Sequence, residues 1–154
     1  MICNFLKKFP KGQHIKNKAT NFEAKITKGT KIHTMREDVH SRWKVGMEMQ
    51  LSHGARSKAY YCFKTATLKH IQIVKIVFVS GRRRPDIYID ARLLGMVEMM
   101  QLASNDGFDS MADFFEYFDE PGEYKLLHWT DFIYTGNVAK LEAINDSKRE
   151  MYEP

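Results

Sequence analysis

Cysteine is scarce in this chain of 154 residues: Cys3 and Cys62 stand alone, with no CxxC pair and no cysteine-rich framework. Neither a disulfide scaffold nor a thiolate zinc site is therefore indicated. The six histidines show neither HxxxH nor HExxH spacing, so no metal is expected, and nothing implies another cofactor. Long apolar runs are also missing. The most hydrophobic stretch, Ile71 to Val79, carries Gln72 and Lys75 and falls far short of the roughly 18 residues of a membrane span. The first residues, Met-Ile-Cys-Asn-Phe-Leu, turn at once to Lys7 and Lys8, which inverts the order of a secretory signal. The expectation is a cytoplasmic protein without a membrane partner. No internal repeat is visible.

What the chain does have is the composition of a soluble globular domain, 44% hydrophobic and 28% charged. Its net charge of +5 hides a division along the chain. Residues 1–44 carry 11 Lys and Arg against 3 acids, residues 45–92 carry 9 against 3, and residues 93–154 carry 4 against 13. A basic face gathered from the first two segments would suit a polyanion. The alternative is that the two parts neutralise one another across the folded surface.

Residues 1–19 are Lys-rich, hold Pro10 and Gly12, show no apolar period and read as a basic extension. Thr20-Asn21-Phe22-Glu23 has capping-box spacing and predicts a short helix with Phe22 and Ile26 on its buried face and Gly29 at its end. Strand character follows at Ile32 to Arg36, Met47 to Ser52, Lys58 to Lys64, Leu68 to Val79 and Asp86 to Asp90. From Leu93 the period becomes helical, with Leu93, Met96, Val97, Met100 and Met99 as core material. A second helix capped by Ser110 buries Met111, Phe114, Phe115 and Phe118. Tyr124 to Tyr134 returns to strand. Residues 136–154 form a polar tail with a frayed helix over Val138 to Ile144. Connections too short for parallel crossovers predict an α+β fold, a small, mostly antiparallel barrel or strongly bent sheet with helices packed at one side.

The densest polar run, Lys28-Gly29-Thr30-Lys31-Ile32-His33-Thr34-Met35-Arg36, sits where the first helix hands over to a strand. A threonine hydroxyl becomes a nucleophile when a neighbouring base takes its proton, and lysine is such a base once its pKa falls towards about 7 to 8. Lys28 and Arg36 are cations placed to push Lys31 in that direction. Residues three apart in an ideal strand face opposite ways, so Lys31 belongs in the turn if it is to meet Thr34. Arg82, Arg83 and Arg84 form a turn that could reach phosphates or simply be solvated. Trp43, in a polar loop with Arg42 and Lys44, is the aromatic best placed to stack on a base. His33 and His128 are candidates to line one cleft.

The Gly-x-Lys-x-x-Thr-x-Arg run of Gly29, Lys31, Thr34 and Arg36 resembles the signature of ASCH domains. The resemblance extends through Arg42-Trp43-Lys44-x-Gly46, Asn105-Asp106-Gly107-Phe108 and His128-Trp129-Thr130-Asp131, and covers about residues 20–135. It implies a PUA-like β-barrel that binds RNA, or a nucleotide or nucleoside, in a cleft between the signature and the Asn105 to Phe108 loop. It implies alternatively an amidohydrolase that removes an acyl group from the exocyclic amine of cytidine. In those enzymes a Lys and a Thr of the signature act with a Glu before the second helix. Lys31 and Thr34 match the first two. The third position is Asp106, one methylene shorter, which favours binding over catalysis. An interaction protein whose cleft has lost its ligand is the remaining expectation.

Overall fold

A computed structural model describes residues 1–136. The element order is β1 (Ile2–Asn4), α1 (Phe22–Lys28), β2 (His33–Arg36), β3 (Glu48–His53), β4 (Tyr61–Thr67), β5 (His70–Val77), β6 (Asp86–Ile89), β7 (Arg92–Leu93), α2 (Met96–Asn105), α3 (Met111–Tyr117) and β8 (Gly122–His128). The class is α+β, as the short connections imply, but the strands do not close into a barrel. They form one five-stranded sheet in the order β2-β8-β5-β6-β7 and one three-stranded sheet in the order β1-β3-β4. All pairs of the larger sheet are antiparallel. In the smaller one β3 and β4 are antiparallel, while β1 runs parallel to β3, a pairing made possible by the long connection between them. Among the described residues no helix is long and apolar enough to cross a membrane. The expected helix at Val138 to Ile144 lies outside the described residues, as does the tail from residue 137.

Two cores flank the larger sheet. Met35, Val74, Ile76, Ile87, Ile89 and Leu126 pack with Leu102 of α2 and Phe114 of α3. Leu127 instead joins Cys3, Phe5, Ile26, Trp43, Met49, Leu51, Leu68 and Trp129. Consecutive leucines serve different cores because successive side chains of a strand point to opposite faces. Phe22 packs against both clusters and sits at the seam between them.

Four expectations are corrected. Residues 1–19 are not a loose extension: β1 pairs with β3, and Phe5, Phe9 and Ile15 are buried. The segment had no apolar period because it is irregular beyond β1 and its apolar side chains divide between the two cores, Phe9 and Ile15 in the first and Phe5 in the second. The Thr20–Glu23 capping box does not form. Thr20 is buried, with its hydroxyl donating to the Leu6 carbonyl (2.7 Å), and Asn21 takes the cap position in a left-handed conformation without a side-chain cap bond. Trp43 is 8% exposed and belongs to the second core, so it offers no stacking face; the backbone N–H groups of Arg42 and Trp43 donate to the Asp38 carboxylate, which draws the loop inward.

The last correction concerns α2, which is turned relative to its apolar stripe. Met96, Val97 and Met100 are exposed, whereas Glu98, Gln101, Leu102 and Asn105 are buried. Buried partners account for the rotation. Glu98 accepts two hydrogen bonds from Arg92, both 2.7 Å, and Gln101 donates to Asn105 (2.9 Å). Buried polar groups with such partners escape the desolvation penalty that unpaired ones carry. The expected end of α1 and start of α3 hold in their local chemistry. Gly29 ends α1 at φ 79°, and the Ser110 hydroxyl caps α3 by accepting from the Asp113 N–H.

Candidate functional site

The chain leaves α1 through Gly29 and folds back on the helix end, with the Thr30 and Lys31 N–H groups both donating to the Lys25 carbonyl. Ile32 N–H donates to the Asn105 carbonyl, which ties this turn to the end of α2. Lys31 thus lies in the turn before β2, and its side chain is driven inward to 1% exposure. Its ammonium donates to the carbonyls of His33 (2.9 Å) and Asp106, and stands 3.6 Å from the Asp106 carboxylate. It also sits over the rings of Phe22 and Phe5, at 4.6 and 5.4 Å.

Burial lowers the Lys31 pKa from 10.5 to about 8; the Asp106 charge opposes the shift and Arg36 adds to it. The expected push from Arg36 is present but secondary, and Lys28 is turned towards a separate groove. When neutral, Lys31 keeps two N–H groups for the two carbonyls and has a lone pair left to accept a proton. Gly107 permits this packing. At φ +92°, a Cβ there would come within 2.8 Å of Lys31 Cδ and 3.0 Å of the Phe22 ring.

Asp106 is held from its other side. The Nδ1–H of buried His33 donates to its carboxylate (3.1 Å), and His33 Nε2 accepts from the Tyr134 hydroxyl (2.8 Å), which itself accepts from the Asn105 amide (3.1 Å). The carboxylate can only accept, and this fixes the His33 tautomer. Burial raises the Tyr134 pKa well above 10, so its hydroxyl remains a donor. His128 lies against His33, with ring centroids 5.2 Å apart, opposite it in the β2–β8 register. Burial, helped by the two neighbouring histidines, lowers its pKa to about 2 and keeps it neutral.

Lys31, Thr34, Arg36 and Asp106 all open onto one cavity of about 470 Å³. Phe5 and Phe9 of the N-terminal segment line it together with Phe22, Phe108, Tyr117, Phe118 and Tyr124, and Lys8, Lys11 and Glu37 add charged groups to the lining. Arg36 lies over Phe5 at 4.9 Å and donates to the Asn4 carbonyl (2.7 Å), so this arginine also anchors β1. Of the remaining expected site residues, His33, Asn105 and His128 are wholly buried and do not line the cavity, and Gly29 only ends the helix. Arg42, Trp43 and Lys44 lie in the β2–β3 connection away from it. Arg82, Arg83 and Arg84 lie beyond the Val77 end of β5, whereas His128 pairs at its His70 end. Phe5, Phe9, Tyr117 and Tyr124 were missed by motif reasoning, since an aromatic wall assembled from distant segments leaves no local pattern.

Much of the basic charge is locally compensated. Lys11 pairs with Asp119, Lys18 with Asp109 and Asp113, and Lys25 with Asp109, each at 2.7 to 2.8 Å. Around α3 the basic and acidic parts of the chain therefore neutralise one another.

In comparison with known proteins, no family model, no curated protein and no solved structure matches the chain.

Proposed function

We propose that this protein is an ASCH-like, PUA-like domain that binds RNA through a nucleotide or nucleoside held in the aromatic cavity. The observation that carries the reading is that Lys31, Thr34, Arg36 and Asp106 converge on a cavity that is also lined by the rings of Phe5, Phe9, Phe22, Phe108, Tyr117, Phe118 and Tyr124. A volume of about 470 Å³ suits a small organic ligand, and apolar walls with a few convergent polar groups are how such ligands are bound and oriented. A planar base gains from the half-buried rings of Phe22, Tyr117 and Tyr124. Asp106 is placed to accept from an exocyclic amine, and Arg36 to donate to a base carbonyl or phosphate.

Titration calorimetry with the four ribonucleosides and their monophosphates tests this. At least one should bind, and Tyr124→Leu should weaken it by about tenfold, the lower part of the range for one base–aromatic stack. Absence of binding by all of them at millimolar concentration would overturn the reading.

A second reading, deacylation of cytidine acylated on its exocyclic amine, is favoured by the lowered Lys31 pKa beside Thr34 and Asp106. In that reaction Thr34 Oγ1 attacks the acyl carbonyl while Lys31 Nζ takes its proton. The C–N bond then breaks with proton return to the leaving amine, and water hydrolyses the acyl-threonine. Release of cytidine from acylated cytidines, abolished by Lys31→Ala or Thr34→Val and raised by Asp106→Glu, is the expected outcome. Robust turnover that survives both single substitutions would remove these residues from the mechanism.

A further inference from the structure

Beside the aromatic cavity lies a second groove of about 530 Å³, and the two share the side chains of Thr20 and Phe22 as a common wall. Lys7 enters it from the N-terminal segment, Lys28 from the last turn of α1, and His53 from the end of β3. The charge of these groups is distributed unlike that of the lysines facing the 109–119 region. Lys11, Lys18 and Lys25 are each matched by a carboxylate of the 109–119 region. Among the described residues, Lys7 and Lys28 form no ion pair. The one acid in the groove, Glu23, stands 3.3 Å from His53 Nε2, and the other ring nitrogen of His53 lies 2.8 Å from the Phe5 carbonyl. Asn21, which also lines this groove, makes no capping bond with its side chain. The groove therefore offers two uncompensated ammonium groups and an amide next to a cavity whose polar floor suits a base.

We infer that this second groove is a phosphate subsite, in which Lys7 and Lys28 hold the phosphoryl group of a ligand whose base occupies the aromatic cavity. The inference rests on the nucleotide reading above and narrows its ligand class from nucleoside to phosphorylated nucleotide. A phosphate in this position has two sources, a terminal monophosphate or the next phosphodiester of an RNA strand, with the same chemistry at the two lysines. Ammonium–phosphate hydrogen bonds are charge-assisted, and their compact, mobile donors tolerate either source.

The test is calorimetry on the full chain with the four ribonucleosides, their 5′- and 3′-monophosphates and short oligoribonucleotides of each base, for wild type and for Lys7→Gln/Lys28→Gln. A phosphorylated ligand should bind about tenfold more tightly than the nucleoside, as expected for one charged hydrogen-bonding contact. That ratio should fall to about one in the double variant. A gain with a monophosphate assigns the terminal group, and a gain confined to the oligonucleotide assigns the phosphodiester. Equal affinities for nucleoside and all phosphorylated forms would overturn the subsite while leaving nucleoside binding intact. A phosphate gain that persists in the double variant would place the phosphate elsewhere and also overturn it. No binding of any ligand would overturn the nucleotide reading itself, and the subsite with it.

Discussion

Replacing Phe5 or Phe9 with alanine is expected to lower the unfolding free energy by about 3 to 5 kcal/mol for each residue. Both rings are almost fully buried. Phe5 packs edge-on to Phe22 and Trp129, and Phe9 packs against Phe22, Phe108 and Tyr117. Truncation would leave cavities in two cores at once, and an unfolding free energy of roughly 5 to 15 kcal/mol for a typical domain leaves little reserve. Because both rings touch Phe22, the double variant should fall short of the sum of the single effects. Urea unfolding checks this, and changes within about 0.5 kcal/mol, as for ordinary surface positions, would show that the segment is not part of the core. Phe5→Leu separates packing from site chemistry. It keeps most of the apolar volume but removes the ring beneath Lys31 and Arg36, so ligand affinity should fall more than stability.

Stability is also expected to depend on pH through Lys31, with about 3 kcal/mol at stake across the whole titration. Its folded pKa of about 8 lies below the ordinary 10.5 because the charged form is buried. Between those values the unfolded chain holds a proton that the folded chain has released, so stability rises with pH in this window. The cost of the buried charge is present in full below pH 8 and is relieved as pH climbs towards 10.5. Burial also raises the Cys3 thiol pKa above 9.0, which acts in the opposite sense at higher pH, and the useful window is therefore pH 7.5 to 9. Over that span wild type should gain about 1 kcal/mol relative to Lys31→Met, which retains Cys3 but has no group to titrate at 31. Parallel pH dependences for the two proteins would mean that Lys31 is charged throughout. If neutral Lys31 serves as a base, deacylation should rise through the same pH range.

A buried lysine that weakens the fold near neutrality is common where chemistry needs it. Its partners follow the same logic, since the His33, Tyr134 and Asn105 chain holds the Asp106 carboxylate without exposing it.

Local chemistry by itself determined the left-handed stop at Gly29, the Ser110 cap, the alternation of Ile87 and Ile89, and the turn position of Lys31 ahead of β2. Each depends on residues within a few positions of one another, where backbone sterics and side-chain period act without help from the rest of the chain. The tertiary structure alone decided the N-terminal wall of the cavity, the burial of Trp43, the open sheets and the rotation of α2. Phe5 and Phe9 carry no period because their partners lie in α1, in β8's extension and after α2. Trp43 sits in a polar loop, but Asp38, itself held by Lys125 of β8, draws that loop down. The methionines of α2 follow a helical period, yet Glu98 and Gln101 face inward because Arg92 and Asn105 are there to meet them. A pattern along the chain reports which side chains share a face. Which face is buried depends on the desolvation cost and the partners that distant segments bring to it.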